Sequence, residues 1–147
     1  LEFLSSYAIN PQGMLIMEGE PGTGKTYACM GICEMYSRVS TDVTFLTQKT
    51  MTDKWLDSFR EEKGQLFQRK LEDVRLLVID DFATGTPSPS FLTFFMEVIN
   101  SRMQWKNKGT VITTNLNFND LSNFCGHALS DRLRVGKRLL FEGNSRR

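Results

Sequence analysis

Five short apolar runs punctuate the chain, and polar or glycine-rich residues separate them. Met14-Leu15-Ile16-Met17, Val43-Thr44-Phe45-Leu46, Leu76-Leu77-Val78-Ile79, Thr110-Val111-Ile112-Thr113 and Arg138 to Phe141 read as strands. The third run is uniformly apolar, as strands covered on both faces are. Between the runs the apolar positions fall at helical spacing. Lys25 to Ser37 carries Ala28, Ile32 and Met35, and Lys49 to Arg60 carries Met51, Trp55, Leu56 and Phe59. Phe91 to Trp105 carries Phe95, Ile99 and Met103, four residues apart. Gln65 to Leu71 predicts another helical turn or two, and Asp120 to Phe124 a short helix capped by Asn119 or Asp120. Ala83 to Ser90, rich in Gly, Thr, Pro and Ser, predicts a loop. Strands alternating with helices predict an α/β fold, a five-stranded parallel sheet covered on both faces in three layers.

The length of 147 residues fits one domain with a core, spanning 1–147, and leaves no room for a second of similar size. No run reaches the ~18 apolar residues that a membrane span needs. No charged-then-apolar leader follows Leu1. The cysteines Cys29, Cys33 and Cys125 are odd in number, which suggests reduced thiols in a cytoplasmic protein. Cys125 and His127 are one residue apart, an unusual zinc-ligand spacing, so small core residues are the expectation. The net charge of +1 does not announce a nucleic-acid binder. From Asp131 onward, however, Arg132, Arg134, Lys137, Arg138, Arg146 and Arg147 face only Asp131 and Glu142. Such a basic segment suits phosphate or an acidic partner, or else a solvated surface.

The chemistry begins where the first run ends. Gly19-Glu20-Pro21-Gly22-Thr23-Gly24-Lys25-Thr26 matches G-x-x-x-x-G-K-[ST] at every fixed position, between a strand and a helix. Glycines let the backbone turn its N–H groups inward onto phosphate oxygens, and the helix that follows adds its positive end. Lys25 is predicted to reach the β- and γ-phosphates of ATP, and Thr26 to offer its hydroxyl to Mg2+. Tyr27, the next residue, counts with this loop as part of the nucleotide site. Asp80 and Asp81 follow the third run, where a triphosphate site needs carboxylates. Asp80 is predicted to hold a magnesium-bound water and Asp81 to orient or deprotonate the attacking water. Asn115, at the end of the fourth run, is predicted to bond that water or the γ-phosphate. The bland alternative for Asn115 is a turn residue bonded to its own backbone.

With these motifs in place, the chain resembles the AAA+ ATPases. The loop Gly19–Thr26, the acidic strand Leu76–Asp81 and the strand Val111–Asn115 follow that family's order. Leu129-Ser130-Asp131-Arg132-Leu133-Arg134, followed by Phe141-Glu142-Gly143-Asn144-Ser145-Arg146-Arg147, resembles the DnaC/DnaI-type replicative helicase loaders. The IstB transposition ATPases share this subgroup. The resemblance covers nearly the whole chain from Met14. It implies a P-loop NTPase fold without a lid domain and a slow, assembly-dependent ATPase. It also implies single-stranded DNA, a replicative helicase and further copies of the chain as partners, in a bacterial or phage-infected cell. Arg132 resembles the arginine finger that completes a neighbouring subunit's site. The segment Thr47 to Arg60 corresponds to the loaders' DNA-contacting helix, with Lys49, Lys54, Trp55 and Arg60 as candidate contacts.

Three departures qualify the resemblance. Asp81 stands where many AAA+ proteins carry Glu, and its carboxylate reaches one methylene less. The lid's nucleotide-sensing arginine is absent, with Arg146 or Arg147 as substitutes. The family's N-terminal helicase-binding region is also absent, so the chain is expected to be an ATPase core. The reading is therefore a helicase loader or its core. The alternatives are an IstB-type transposition helper, or a nucleotide-gated binding factor with little hydrolysis.

Overall fold

In the structure, a computed structural model that describes residues 2–143, the five apolar runs form one parallel sheet. Its strands are β1 (Gly13–Gly19), β2 (Val43–Thr47), β3 (Leu76–Phe82), β4 (Gly109–Thr114) and β5 (Lys137–Phe141). They lie in the order β2-β3-β4-β1-β5. The helices are α1 (Glu2–Ile9), α2 (Lys25–Ser37), α3 (Gln48–Arg60), α4 (Gly64–Asp73), α5 (Pro89–Met103), α6 (Phe118–Cys125) and α7 (His127–Arg134). All strand pairs are parallel, so every strand's C-terminal end meets the same rim. The order puts β4 between β1 and β3, and so Asn115 between the phosphate loop and the acid pair.

Two apolar clusters sandwich the sheet. One joins α1 and α2 to it through Tyr7, Leu15, Met17, Cys29, Ile32, Val78 and Val111. The other lies beneath α3 to α7 and centres on Ile16, Ile79, Phe82, Phe95, Ile99 and Leu133. Leu76 to Ile79 are fully buried, and each such side chain contributes about 1.5–3 kcal/mol. Aromatic rings knit the second cluster. Trp55 lies 5.6 Å from Phe91 and 5.6 Å from Phe94, and Phe82 stacks on Phe95 at 4.8 Å.

Several expectations need correction. Residues 2–9, which show no clear period, form α1, and residues 127–134 form α7. The cap of α6 is Asn117, whose side chain accepts from the Asp120 N–H, not Asn119 or Asp120. On α5 the buried stripe takes in Arg102 while Met103 is exposed. Arg102 is 2 % exposed. Its guanidinium donates to the carbonyls of Leu71 and Gly109 at 2.9 and 2.7 Å, to that of Val74, and to the Thr110 hydroxyl at 2.8 Å. It thereby meets carbonyls at the C-terminal end of α4, where intrahelical donors run out, and Lys108 donates to the Glu72 carbonyl there as well. Burial lowers its pKa to about 10.

A candidate nucleotide-binding site

The loop between β1 and α2 is shaped by two glycines. A Cβ on Gly19 would meet the Phe141 carbonyl oxygen of β5 at 2.1 Å, so only glycine allows the strands to close there. Gly24 caps α2 with φ 98°, a left-handed conformation that glycine adopts at no steric cost. Unlike α3, α5 and α6, helix α2 has no side chain capping its first turn. Its N-terminus therefore faces the cleft with its positive end, a ready anion site. Thr23 stiffens the loop by donating to the Glu20 carbonyl at 2.8 Å. Lys25 is 6 % exposed, and its ammonium donates to the carbonyls of Gly19 and Glu20 at 2.6 and 2.9 Å. The charge is thus held inside the curve of the loop.

Across from the loop stands the acid pair. Both acids lie within β3 rather than after it. Asp80 is 3 % exposed and accepts from the Thr26 hydroxyl at 3.0 Å and from the Thr113 hydroxyl of β4 at 2.5 Å. The Thr113 oxygen also accepts from the Asp81 N–H at 3.0 Å. One β4 side chain therefore fixes both acids. Asp81 itself is exposed and takes a left-handed conformation, φ 54°, where the β3–β4 register breaks between Ile79 and Phe82. That conformation is rare for a residue other than glycine, though Asp tolerates it better than most.

These parts surround one cleft of about 330 Å3, lined by Pro21, Gly22, Gly24, Lys25, Thr26, Tyr27, Asp81 and Asn115. Gly19, Glu20 and Thr23 line the adjoining cleft, which shares Asn115. The oxygen set of Thr26 and Asp80 fits Mg2+, a hard cation that binds through a carboxylate, a hydroxyl and waters. Thr113 is the residue of this site that the sequence reading missed. It stood in a motif already noticed, but its tie to both acids depends on β3 and β4 being neighbours.

Arg132 is not in this cleft. It is exposed on α7, and its Nε donates to the Asn100 side chain at 3.1 Å rather than pairing with Asp131. Trp55 is 7 % exposed and packs in the core, so it is no stacking platform; Phe59, 58 % exposed, is the open ring of α3. The basic segment is also partly engaged: Arg138 pairs with the buried Glu18, and Arg134 and Arg138 both lie over the Phe118 ring. Arg146, Arg147 and the Gly-x-Ser-x-Arg ending beyond Gly143 lie outside the described residues. Burial pushes the Cys33 and Cys125 thiols up to about 11, in keeping with packing residues. Among the described residues no cluster of His, Cys, Asp and Glu could hold a metal ion by itself.

A model of the IstB-like ATP binding proteins matches residues 3–143. The chain belongs to that family. It is 28% identical over 126 residues to the replicative helicase loader DnaC of Escherichia coli (strain K12), covering 84% of this chain and 51% of that protein. It thus spans about half the length of the curated relatives it matches. Among solved structures, the crystal structure of the DnaC helicase loader superposes with a TM-score of 0.79 at 18% identity, over 96% of this chain and 87% of that one. The replication initiator DnaA bound to AMPPCP and single-stranded DNA superposes with a TM-score of 0.87 at 15% identity, over 97% of this chain and 45% of that one. The fold is that of the AAA+ P-loop domains, with the expected three layers and five parallel strands. No helix among the described residues is long and apolar enough to cross a membrane.

Proposed function

We propose that this chain is the ATP-hydrolysing core of a DNA-replication protein, a helicase loader that acts on single-stranded DNA. The observation that carries this reading is the meeting of Lys25, Thr26, Asp81 and Asn115 around one cleft, with Asp80 bonded to Thr26 behind it. The loop N–H groups and Lys25 hold the β- and γ-phosphates. Thr26 and Asp80 would hold Mg2+, which when bound would supply charge neutralisation on the transferred phosphoryl. Asp81 orients the attacking water and accepts its proton, and Asn115 fixes the water against the γ-phosphate. Arg132 lies outside its own cleft, which supports a role at the site of an adjacent copy in an ATP-bound homo-oligomer. The likeness to the DnaC loader, and to a DnaA structure holding an ATP analogue and single-stranded DNA, supports the choice of nucleotide and polymer. The replicative helicase as partner rests on that likeness. The exposed residues Lys49, Lys54, Phe59 and Arg60 of α3 are the DNA contacts of this reading.

A second reading draws on Asp81. A carboxylate one methylene shorter than Glu suits a nucleotide-gated binding protein that turns over little ATP. Phosphate release, measured with and without single-stranded DNA and a replicative helicase, separates the readings. The loader reading expects turnover that responds to both. ATP binding with no turnover under any of these conditions supports the gated binder. A response to a transposase but not to the helicase supports a transposition helper.

A further inference from the structure

The cleft that adjoins the phosphate loop on the β5 side has an acidic wall. It measures about 560 Å3 and is bounded by the ends of β1 and β5 and the first turn of α6. Four carboxylates line it, those of Glu18, Glu20, Asp120 and Glu142, and among the described residues no Lys or Arg joins them. Glu20, Asp120 and Glu142 are exposed and enter no ion pair among the described residues. Glu18 differs. It is 5 % exposed, and its Oε1 accepts from the Arg138 guanidinium. Its Oε2 is buried without a hydrogen-bond partner among the described residues. A buried charged oxygen is costly to leave unpaired, so this wall holds an acceptor in want of a donor.

A metal ion does not fit that want. Among the described residues no three acids come together closely enough to hold one. The four charges are spread around the cleft instead, and the apolar side chains of Leu116 and Leu140 share its wall. Leu140 is 58 % exposed. Spread carboxylates with apolar surface among them match a ligand built the same way, ammonium groups joined by short methylene chains. The position of the cleft adds a second consideration. It shares Asn115 with the phosphate cleft, and Glu20 belongs to the phosphate loop itself. Negative charge so close to a bound triphosphate repels it, and salt screens little of that repulsion at short range.

We propose that this cleft binds a linear polyamine of the spermidine type, and that its occupancy raises the affinity of the adjoining site for ATP. The ammonium groups meet the carboxylates, one of them gives Glu18 Oε2 its donor, and the methylenes lie on Leu116 and Leu140. The polyamine thereby neutralises the charges that oppose the triphosphate. By reciprocity, ATP raises the affinity for the polyamine by the same factor. The site rests on Glu18 and the acidic wall alone, whereas the linkage rests on the reading of Gly19 to Thr26 as an ATP loop.

Calorimetry of spermidine against the nucleotide-free chain, at fixed Mg2+ and ionic strength, tests the site. Wild type is expected to bind spermidine saturably. Glu18→Gln keeps an acceptor for Arg138 but removes the charge, and is expected to lower the affinity roughly 10-fold, as loss of a charge-assisted bond does. Should Glu18→Gln fail to fold by circular dichroism, the exposed pair Asp120→Asn with Glu142→Gln decides the matter, with an expected loss of about fivefold. Absence of saturable binding overturns the proposal, as do equal affinities in wild type and variants. Binding that appears only in a chain carrying Arg146→Ala with Arg147→Ala also overturns it, since the chain then fills the cleft itself. The linkage is read from ATP affinity with and without spermidine, wild type against Asp120→Asn with Glu142→Gln, so that pairing of spermidine with free ATP cancels. Spermidine is expected to raise the ATP affinity of wild type at least ~5-fold more than that of the variant. An equal gain overturns the linkage. A wild-type chain that binds spermidine but no ATP overturns the phosphate-loop reading and the linkage with it, while supporting the site.

Discussion

Thr113 carries more of the site than its position in a strand suggests. Its hydroxyl donates to Asp80 and accepts from the backbone of Asp81. Thr113→Val keeps the shape and removes both bonds, leaving a nearly buried carboxylate oxygen and an N–H without that partner. The expected cost is about 1–3 kcal/mol in urea unfolding, together with slower phosphate release. Lys25→Ala acts differently. It removes the charge at the centre of the loop, and ATP binding measured by calorimetry is expected to disappear while the fold remains. An unaltered affinity would remove the phosphate-loop assignment. At this scale the sequence was informative wherever chemistry sits on contiguous residues. Gly19 to Thr26 and Asp80-Asp81 were legible because spacing alone defines them. Thr113 was not, since its bonds to both acids exist only once β4 lies beside β3.

Among the elements, the strands were the most legible, since buried parallel strands read as unbroken apolar runs. Helix α7 was hidden because its buried residues are only Leu129, Ser130 and Leu133, flanked by charge. Helix α5 was read with the wrong last turn: Met103 fits the apolar spacing, yet Arg102 is the buried residue. The reason is a need at the far end of α4, whose carbonyls require a donor that methionine cannot supply. Arg102→Ala is therefore expected to destabilise by roughly 3 kcal/mol or more, given the loss of several charge-assisted bonds. Arg102→Lys should recover only part, as one ammonium cannot span the same carbonyls. Thermal or urea unfolding checks both. On α3, Lys54→Ala with Arg60→Ala is expected to weaken single-stranded DNA binding and make its salt dependence shallower by about 1.4 in slope, two contacts at ~0.7 each. The pairing of Arg60 with Asp57 is long, 4.0 Å, and highly exposed, so it does not hold the arginine back. An unchanged slope would mark α3 as a packing element only.

For the whole molecule, the decisive matter is whether one chain makes a complete site. Arg132 lies away from its own cleft and bonds to Asn100. Arg132→Ala is expected to leave ATP affinity intact and to lower ATPase activity or assembly. Mixing Arg132→Ala with Lys25→Ala gives the sharper measurement. Each variant lacks a different half of a shared site, so a mixture recovers part of the activity that neither shows alone. No recovery would mean that the arginine serves its own chain or none. The expectation of such sharing comes only from resemblance, because no pattern within one sequence records what a neighbour contributes.

The contact between Gly19 and Phe141 has a consequence for how the protein comes into being. β5 is an edge strand, and it packs so tightly behind the loop that only a glycine fits there. The neighbouring pair Glu18 and Arg138 is 120 residues apart in sequence. During synthesis the phosphate loop leaves the ribosome long before the strand that backs it. A growing chain can form the turn, but it lacks the wall against which that turn is held. A chain ending before residue 137 is therefore expected to bind ATP more weakly than one that has β5. On that expectation, competence to bind ATP comes only once residues 137–141 pair with β1.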